Sequence, residues 1–410
     1  MLAAQVAVNN ATFHFDKLYS YKVPETLANL IAVGSMVLVP FGRGTAKARM
    51  GVVLQLETLK EENDKLKCIF DVAPEKARLS PELLDLVYFL KERTFCTYYE
   101  AVKAIIPYGA QYKAVNEGGV PHLQKQLVRH TYRSYRVCQP LNMAMKYSPK
   151  QKAVLAYLGD GAAGEQAILD SCGITKAVLD TMCKKNILSM TQEDMIPELS
   201  AEAEPAAPIL LNRQQQIVFE ELLGYMQKKQ AHAALLHGVT SSGKTLVFIK
   251  LMQQALALHK TALVLVPEIS LTPQMIRRLR SVFGSRVAVQ HSALNNTQRL
   301  LQWQQIQNGE ADIVVGTRSA VFAPLQNIGI IIIDEEQEHT YASEQSPRFL
   351  AHDVAKKRAV TYNALLLLAS ATPSVESYYN AQQGRYSLHT LPERYGARPL
   401  PEVEMIDMRQ

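Results

Sequence analysis

Eight consecutive residues constrain this chain more than any others: Gly238, Val239, Thr240, Ser241, Ser242, Gly243, Lys244 and Thr245, the spacing of a phosphate-binding loop. Residues 231–237 before it are short and apolar, as a buried strand should be. Residues 246–258 after it carry apolar side chains at helical spacing. Strand, glycine-bearing turn and helix together aim several backbone N–H groups and a helix N-terminus at one point, which suits a polyphosphate. Lys244 would sit on the β- and γ-phosphates and the Thr245 hydroxyl on Mg²⁺. An ordinary glycine-rich turn is the plainer reading, but the flanks argue against chance. The pattern implies a nucleoside triphosphate site.

A chain of 410 residues has room for roughly two to four domains, each with its own core. Hydrophobic content of 48% and charged content of 20% are ordinary for globular protein. No apolar run approaches the roughly 20 residues needed to cross a bilayer. The N-terminal residues 1–17 lack the basic start and cleavage site of a secretory signal. The cysteines (Cys68, Cys96, Cys138, Cys172, Cys183) are scattered and never spaced as CxxC. The expectation is a cytoplasmic protein with no membrane partner, no disulfide framework and no zinc site in these residues.

The net charge of +6 is unevenly spread. Residues 101–152 hold nine Lys or Arg against one acid, Glu117, with Tyr108, Tyr112, Tyr132, Tyr135 and Tyr147 interleaved. Cations beside aromatic platforms suit a nucleic-acid surface, since cations neutralise phosphates and rings stack on bases. A solvated basic face is the other reading of this stretch.

Along the chain, residues 5–8, 19–23, 36–40 and 50–54 read as short strands, with 41–49 an exposed basic hairpin loop. Ser80 and Pro81 start a helix whose Leu83, Leu84, Val87 and Leu90 face inward. From Ser148 to Met190 the order is helix, helix, turn, helix and strand, as in a winged helix, with Ser148 and Thr175 as caps. Such a unit reads duplex DNA or serves as a spacer. Residues 191–208, with five acids, no bases and three prolines, read as a linker.

Beyond residue 209 apolar strands alternate with helices, the sign of a parallel α/β sheet. The strands expected are 233–237, 262–266, 287–289, 313–315, 328–333 and 364–369. The fifth delivers Asp334, Glu335 and Glu336 at its end. Asp334 would hold Mg²⁺ and Glu335 would orient or deprotonate an attacking water, although acids also favour a helix N-terminus. Ser370, Ala371, Thr372 and Pro373 follow the sixth strand, a weak signal alone.

Taken in order, LNRQQ (211–215), the phosphate loop, VPEISLTPQ (266–274), His291-Ser292, GTRSA (316–320), DEE (334–336) and the segment 370–377 form a series. That series resembles the first motor lobe of the PriA family, superfamily 2 helicases that restart stalled bacterial replication, and the likeness runs along essentially the whole chain. The resemblance implies a multi-domain α/β fold: an N-terminal β-rich DNA-binding domain, a winged helix and a RecA-like parallel α/β P-loop helicase lobe. The corresponding divisions are 1–107 for the domain that binds a DNA 3′ end, 108–190 for a basic connector and winged helix, 191–208 for the linker, 209–390 for the lobe and 391–410 for the start of a region leading to a second lobe. It implies ATP and Mg²⁺ as cofactors, and zinc whose ligands lie outside this chain. It implies single-stranded and forked DNA, primosome proteins and single-stranded DNA-binding protein as partners.

By the same resemblance, Gln215 reads adenine, and Thr317, Arg318 and residues 266–274 line a single-strand track. Tyr341, Arg348 and Phe349 belong to an aromatic-rich loop linking DNA contact to hydrolysis, and Ser370 and Thr372 couple nucleotide to DNA. Tyr19, Ser20, Gly42, Arg43 and Lys67 mark the 3′-end pocket.

Three positions depart from the family pattern. Gln337 stands where relatives commonly carry histidine, Ser20 where they often carry an acid, and Pro347 where some carry tryptophan. Glutamine can still hydrogen-bond across the cleft, so altered coupling is expected. Without a second lobe and its arginine finger, worth about 10³ to 10⁵ in turnover, these residues are expected to bind ATP weakly and DNA well, and to hydrolyse little, as a fragment of a full helicase. Two other readings stay open: a fork-binding assembly platform with an inert motor remnant, and a P-loop ATPase acting on a partner other than nucleic acid.

Overall fold

The computed structural model describes residues 1–9, 12–42, 47–60, 65–106, 112–125, 131–138, 147–159, 161–194 and 209–395. The chain divides into two compact units, one formed by Met1–Leu127 with Ser200–Gln410 and the other by Val128–Leu199.

The first unit opens with β1 (Leu2–Val8), β2 (Tyr19–Lys22), β3 (Met36–Phe41), β4 (Lys47–Thr58) and β5 (Asp71–Val72). They form an antiparallel sheet in the order β2-β1-β4-β3-β5. Alternation divides β3 between two cores: Val37 and Val39 join one apolar cluster, Met36 and Leu38 the other. Then come α1 (Pro81–Arg93) and α2 (Tyr98–Ile105). Ser80 caps α1 by accepting the Leu83 N–H at 3.3 Å, as expected. Thr97 and Glu100 form a capping box at α2, which sequence reading missed. A hairpin of β6 (Tyr112–Glu117) and β7 (Val120–Lys125) follows. It touches β3, β4 and β5, in a stretch read as connector.

The second unit contains β8 (Thr131–Val137), α3 (Pro149–Leu158), β9 (Ala162–Gly164), α4 (Glu165–Cys172), α5 (Lys176–Lys184) and β10 (Leu188–Asp194). Its strands pair antiparallel in the order β10-β8-β9. Ser148 caps α3 with a full capping box, whereas Thr175 makes no side-chain cap at α5. β10 runs on to Asp194, four residues into the acidic stretch read as linker. The rest of that stretch lies outside the described residues.

The remainder of the first unit is α6 (Arg213–Gln227), β11 (His232–Gly238), α7 (Lys244–Ala257), β12 (Thr261–Leu265), α8 (Pro273–Phe283), β13 (Val287–Gln290), α9 (Asn296–Gln307), β14 (Ile313–Gly316), β15 (Ile328–Asp334), α10 (Ala351–Tyr362), β16 (Leu365–Ser370), α11 (Val375–Gln382) and β17 (Ser387–Leu391). The strands form one parallel sheet, β13-β14-β12-β15-β16-β11-β17. Six were legible as apolar runs. β17 was not, because it pairs only with β11 at the sheet edge and its Ser-Leu-His-Thr-Leu run buries only His389 and Leu391.

Helices cover both faces of this sheet, so its strands are apolar on both sides. On β15, Ile330 and Ile332 pack into one cluster, and Ile331 and Ile333 into the other. Each fully buried isoleucine contributes about 1.5–3 kcal/mol. The cluster holding Ile331 and Ile333 also contains Met36, Leu38, Leu83 and Val102 from the N-terminal segment. One continuous core therefore joins the antiparallel and parallel sheets. Among the described residues no helix is long and apolar enough to cross a membrane.

Candidate functional site

Strand order brings the motifs together. β15, β16 and β11 are neighbours, so their C-terminal ends deliver Asp334, Ser370 and the phosphate loop side by side at one sheet edge. That carboxyl edge is where open parallel sheets bind ligands. Residues 240–245 line a cleft of about 580 Å³ there, together with Asp334, Glu335, Arg278 and Tyr395. Lys244, Thr245, Asp334 and Glu335 thus share one cavity.

The loop's backbone explains its glycines. Gly243 has φ of +81°, and a Cβ there would stand 2.3 Å from Gln215 Nε2. Lys244 is buried; its ammonium donates to the Gly238 carbonyl at 2.9 Å and lies 3.9 Å from Glu335 Oε1. A cation, backbone N–H groups and a helix N-terminus facing one cavity can bind a polyphosphate.

Asp334 is pushed up to about 6, first by burial and then by the Glu335 charge, while Lys244 and the Glu335 N–H pull it down. Its negative charge is under-compensated in this setting. A divalent cation with the Thr245 hydroxyl in the same cleft fits that shortfall. Glu335 itself has φ of +46°, a left-handed conformation that is costly for a residue with a Cβ.

Gln337 spans the gap between two motifs. Its amide nitrogen donates to Glu335 Oε2 at 3.1 Å, and its amide oxygen accepts the Ser370 hydroxyl at 2.6 Å. Ser370 Oγ in turn accepts the Thr372 N–H at 2.8 Å. Glu336 points the other way, into the protein, accepting from Ser374 N–H at 2.7 Å and from the Ser377 hydroxyl at 2.8 Å. Ser377 was included only as the end of the segment 370–377, with no role of its own, and the cleft residues Arg278 and Tyr395 were missed. The only signal for Arg278 was its place on the helix after VPEISLTPQ.

Several expected residues stand elsewhere. Gln215 is fully buried, and its amide is committed to the Asn212 N–H at 3.0 Å and the Ser242 carbonyl at 2.8 Å. It braces the phosphate loop, outside the cleft lining, instead of presenting its amide to a base. Tyr341 is 1% exposed and Phe349 8%, so neither ring offers a face for stacking on DNA. Tyr341 donates its hydroxyl to the Asp334 carbonyl at 2.6 Å, and Phe349 packs edge-on against Phe322 at 4.9 Å. Both rings belong to the apolar cluster behind the parallel sheet, while Glu344, Gln345 and Ser346 between them are exposed. Arg348 is exposed. Arg318 donates to the Thr340 carbonyl at 3.4 Å and also to that of Ala342, tying the segment after Thr317 to the same loop.

In the antiparallel sheet, the Tyr19 ring packs edge-on against Phe41 at 5.0 Å, and Lys67 donates to the carbonyl of Gly42 at 3.3 Å. Tyr19, Gly42 and Lys67 are therefore grouped around the end of β3. Ser20 faces the opposite side of β2 and donates to Gln5 at 3.1 Å. Arg43 lies outside the described residues.

Comparison with known proteins finds matches for two segments of the chain. Residues 5–107 match the family description "3'DNA-binding domain (3'BD)" of PriA, and residues 212–381 match "DEAD/DEAH box helicase". The replication restart protein PriA of Bacillus subtilis is 32% identical over 467 residues, covering 99% of this chain and 58% of that protein. That of Chlamydia trachomatis is 31% identical over 419 residues, covering 99% of this chain and 54% of that protein. The chain spans little more than half the length of these curated relatives. A solved structure of RecG bound to a three-way DNA junction aligns with a TM-score of 0.36 and 22% identity, over 55% of this chain and 27% of that one.

Proposed function

The chain belongs to the family of replication restart proteins PriA, and from that membership we propose that it is the DNA-binding and nucleotide-binding portion of an ATP-dependent 3′→5′ DNA helicase acting at forked DNA in the cytoplasm. The observation that carries the reading is the single cleft shared by Lys244, Thr245, Asp334 and Glu335.

In this reading Lys244 turns from the Gly238 carbonyl to the β- and γ-phosphates of ATP. Thr245 and Asp334 hold Mg²⁺, which when bound neutralises phosphate charge. Glu335, steadied by Gln337, orients the attacking water. The Glu335–Gln337–Ser370 chain passes the state of the nucleotide site to Thr372. Thr317, Arg318 and Arg348 serve the single-strand track, and Tyr19, Gly42, Lys67 and Arg43 a 3′-end pocket, with Ser20 supplying no charge. Tyr341 and Phe349 act through packing behind that track, and Gln215 through the phosphate loop. Domain roles follow the divisions expected above. Primosome proteins and single-stranded DNA-binding protein are the proposed partners. Zinc has no ligand set of three or more His, Cys, Asp or Glu among the described residues.

The test is a pair of titrations on this chain, with Mg-ATP analogue and with labelled forked DNA across salt. Both should bind, the DNA with a steep salt slope. Lys244→Ala should weaken nucleotide binding by about tenfold to a hundredfold and leave DNA binding unchanged. DNA affinity indifferent to salt, or no nucleotide binding at saturating ligand, would overturn the proposal.

A further inference from the structure

A second cavity, of about 270 Å³, lies where the C-terminal end of α2 meets the edge of the parallel sheet that ends in β13 and β14. Lys103 and Ile106 line it from the N-terminal side, and His291, Arg299 and Ser319 from the other. Its wall is therefore shared by the segment matching the 3'DNA-binding domain and the segment matching the helicase.

The charge at this cavity has one sign. Lys103 and Arg299 are its charged lining residues, and no carboxylate lines it among the described residues. The ammonium of Lys103 stands 5.8 Å from the centre of the Tyr99 ring, on an exposed side chain. Arg299 donates through Nη2 to the Ser292 carbonyl at 2.6 Å, but its buried Nε has no partner among the described residues. An unpaired buried donor calls for a water, an ion or a ligand. Burial, and then the Arg299 charge, lowers His291, so at neutral pH this ring offers a hydrogen bond without charge. Glu268 is close by, its carboxylate taken up by the Ser292 hydroxyl.

We propose that this cavity is a further nucleic-acid subsite, in which Lys103 and Arg299 hold a phosphodiester of a single DNA strand as it crosses from the helicase segment to the N-terminal segment. The inference rests on the DNA-binding reading above. Two cations, a hydroxyl and a neutral imidazole suit the several acceptor oxygens of a phosphate, and the flanking Ile106 suits the apolar face of a sugar. Ser319 lines this cavity and directly follows Arg318, so the cavity adjoins a residue of the expected track. An acidic peptide would find the cations but no reason for the adjoining track residues.

The experiment uses the whole chain and a fluorescent oligothymidylate, titrated at several salt concentrations. Lys103→Gln and Arg299→Gln should each weaken binding by about tenfold and lower the salt slope by about 0.7. Arg299→Lys should keep the slope. Nucleotide binding at the phosphate loop and the thermal midpoint should stay as in the parent. Should Arg299→Gln fold poorly, Lys103→Gln alone decides, since its ammonium is exposed. Parent binding that persists with unchanged affinity and slope in Lys103→Gln overturns the subsite alone. Failure of the parent chain to bind the oligonucleotide overturns both this inference and the function on which it rests. Competition by oligoglutamate that depends on Lys103, with DNA binding unaffected by the substitution, assigns the cavity to acidic peptide and also overturns it.

Discussion

Arg358 of α10 and Glu82 of α1, 276 positions apart in the chain, form a two-pronged ion pair with N–O distances of 2.7 and 3.1 Å. The arginine is fully buried, and its remaining N–H groups donate to the carbonyls of Val321, Ala323 and Leu325. Those carbonyls belong to the segment just after Thr317 and Arg318. One guanidinium thus ties the N-terminal helix to the segment that leaves the expected DNA track. Burial raises Glu82 despite the opposing pull of Arg358, so the pair carries a large desolvation cost.

Glu82→Gln leaves a buried guanidinium without its counter-charge and should destabilise the first unit by about 3–5 kcal/mol in urea unfolding. Arg358→Met should cost more than Glu82→Gln, because it also strips a guanidinium bond from each of three buried carbonyls, of which that of Ala323 keeps the Leu325 N–H and that of Leu325 keeps the Tyr362 hydroxyl. Equal costs for the two would show that the carbonyl bonds contribute nothing.

Asp334 makes the cleft sensitive to pH. Its carboxyl sits at about 6, above the ordinary 3.8, so the protonated form survives to mildly acidic pH. Since Mg²⁺ needs the carboxylate, Mg-dependent nucleotide affinity should be full above about pH 7 and fall roughly tenfold per unit below 6. For the metal-free chain the sign reverses. A raised acid favours the fold at low pH, and that contribution, roughly 3 kcal/mol, is lost as pH rises from 4 through 6. Asp334→Asn should remove both effects, and calorimetry with and without Mg²⁺ reads them separately.

Gln337 should carry coupling without carrying affinity. Binding of nucleotide and single-stranded DNA to one chain must alter each other reciprocally if the two sites communicate. Gln337→Leu breaks both of its contacts, to Glu335 and to Ser370. Each ligand alone should bind as before, while the mutual effect falls by about 1 kcal/mol. Titrating DNA with and without ATP analogue measures the difference, and an unchanged mutual effect removes Gln337 from the path.

Gly243→Ala tests the phosphate loop by geometry alone. The new Cβ meets Gln215 Nε2 at 2.3 Å and must adopt a φ of +81°. Loss of about 2 kcal/mol of stability is expected from the left-handed backbone and the displaced amide. Nucleotide binding should suffer with it. A parent-like thermal midpoint would mean that the loop relaxes freely and that Gln215 does not brace it.

Much of the fold was readable because burial on both faces leaves a plain record. Runs such as Ile330–Ile333 are strands whatever surrounds them, and Ser80-Pro81 and Ser148-Pro149 announce their helices. The residues that gather in the cleft were readable too, since each group of them is built from neighbours in sequence. Less was legible where function depends on what lies opposite. Gln215, Tyr341 and Phe349 had the right chemistry for ligand contact, yet their partners are backbone groups and a neighbouring ring. β17 hid because an edge strand needs only half an apolar pattern.

Local order along the chain was enough to determine that a phosphate loop, an acidic strand end and a hydroxyl-bearing strand end exist, because each is built from neighbours in sequence. Only the tertiary structure decided that β16 lies between β11 and β15, which sets Ser370 within reach of Gln337 and Lys244 near Glu335. It alone also decided that Arg358 finds Glu82. Strand order and helix packing come from crossovers and shared burial over hundreds of residues, and no periodicity in the chain encodes which distant face will cover which.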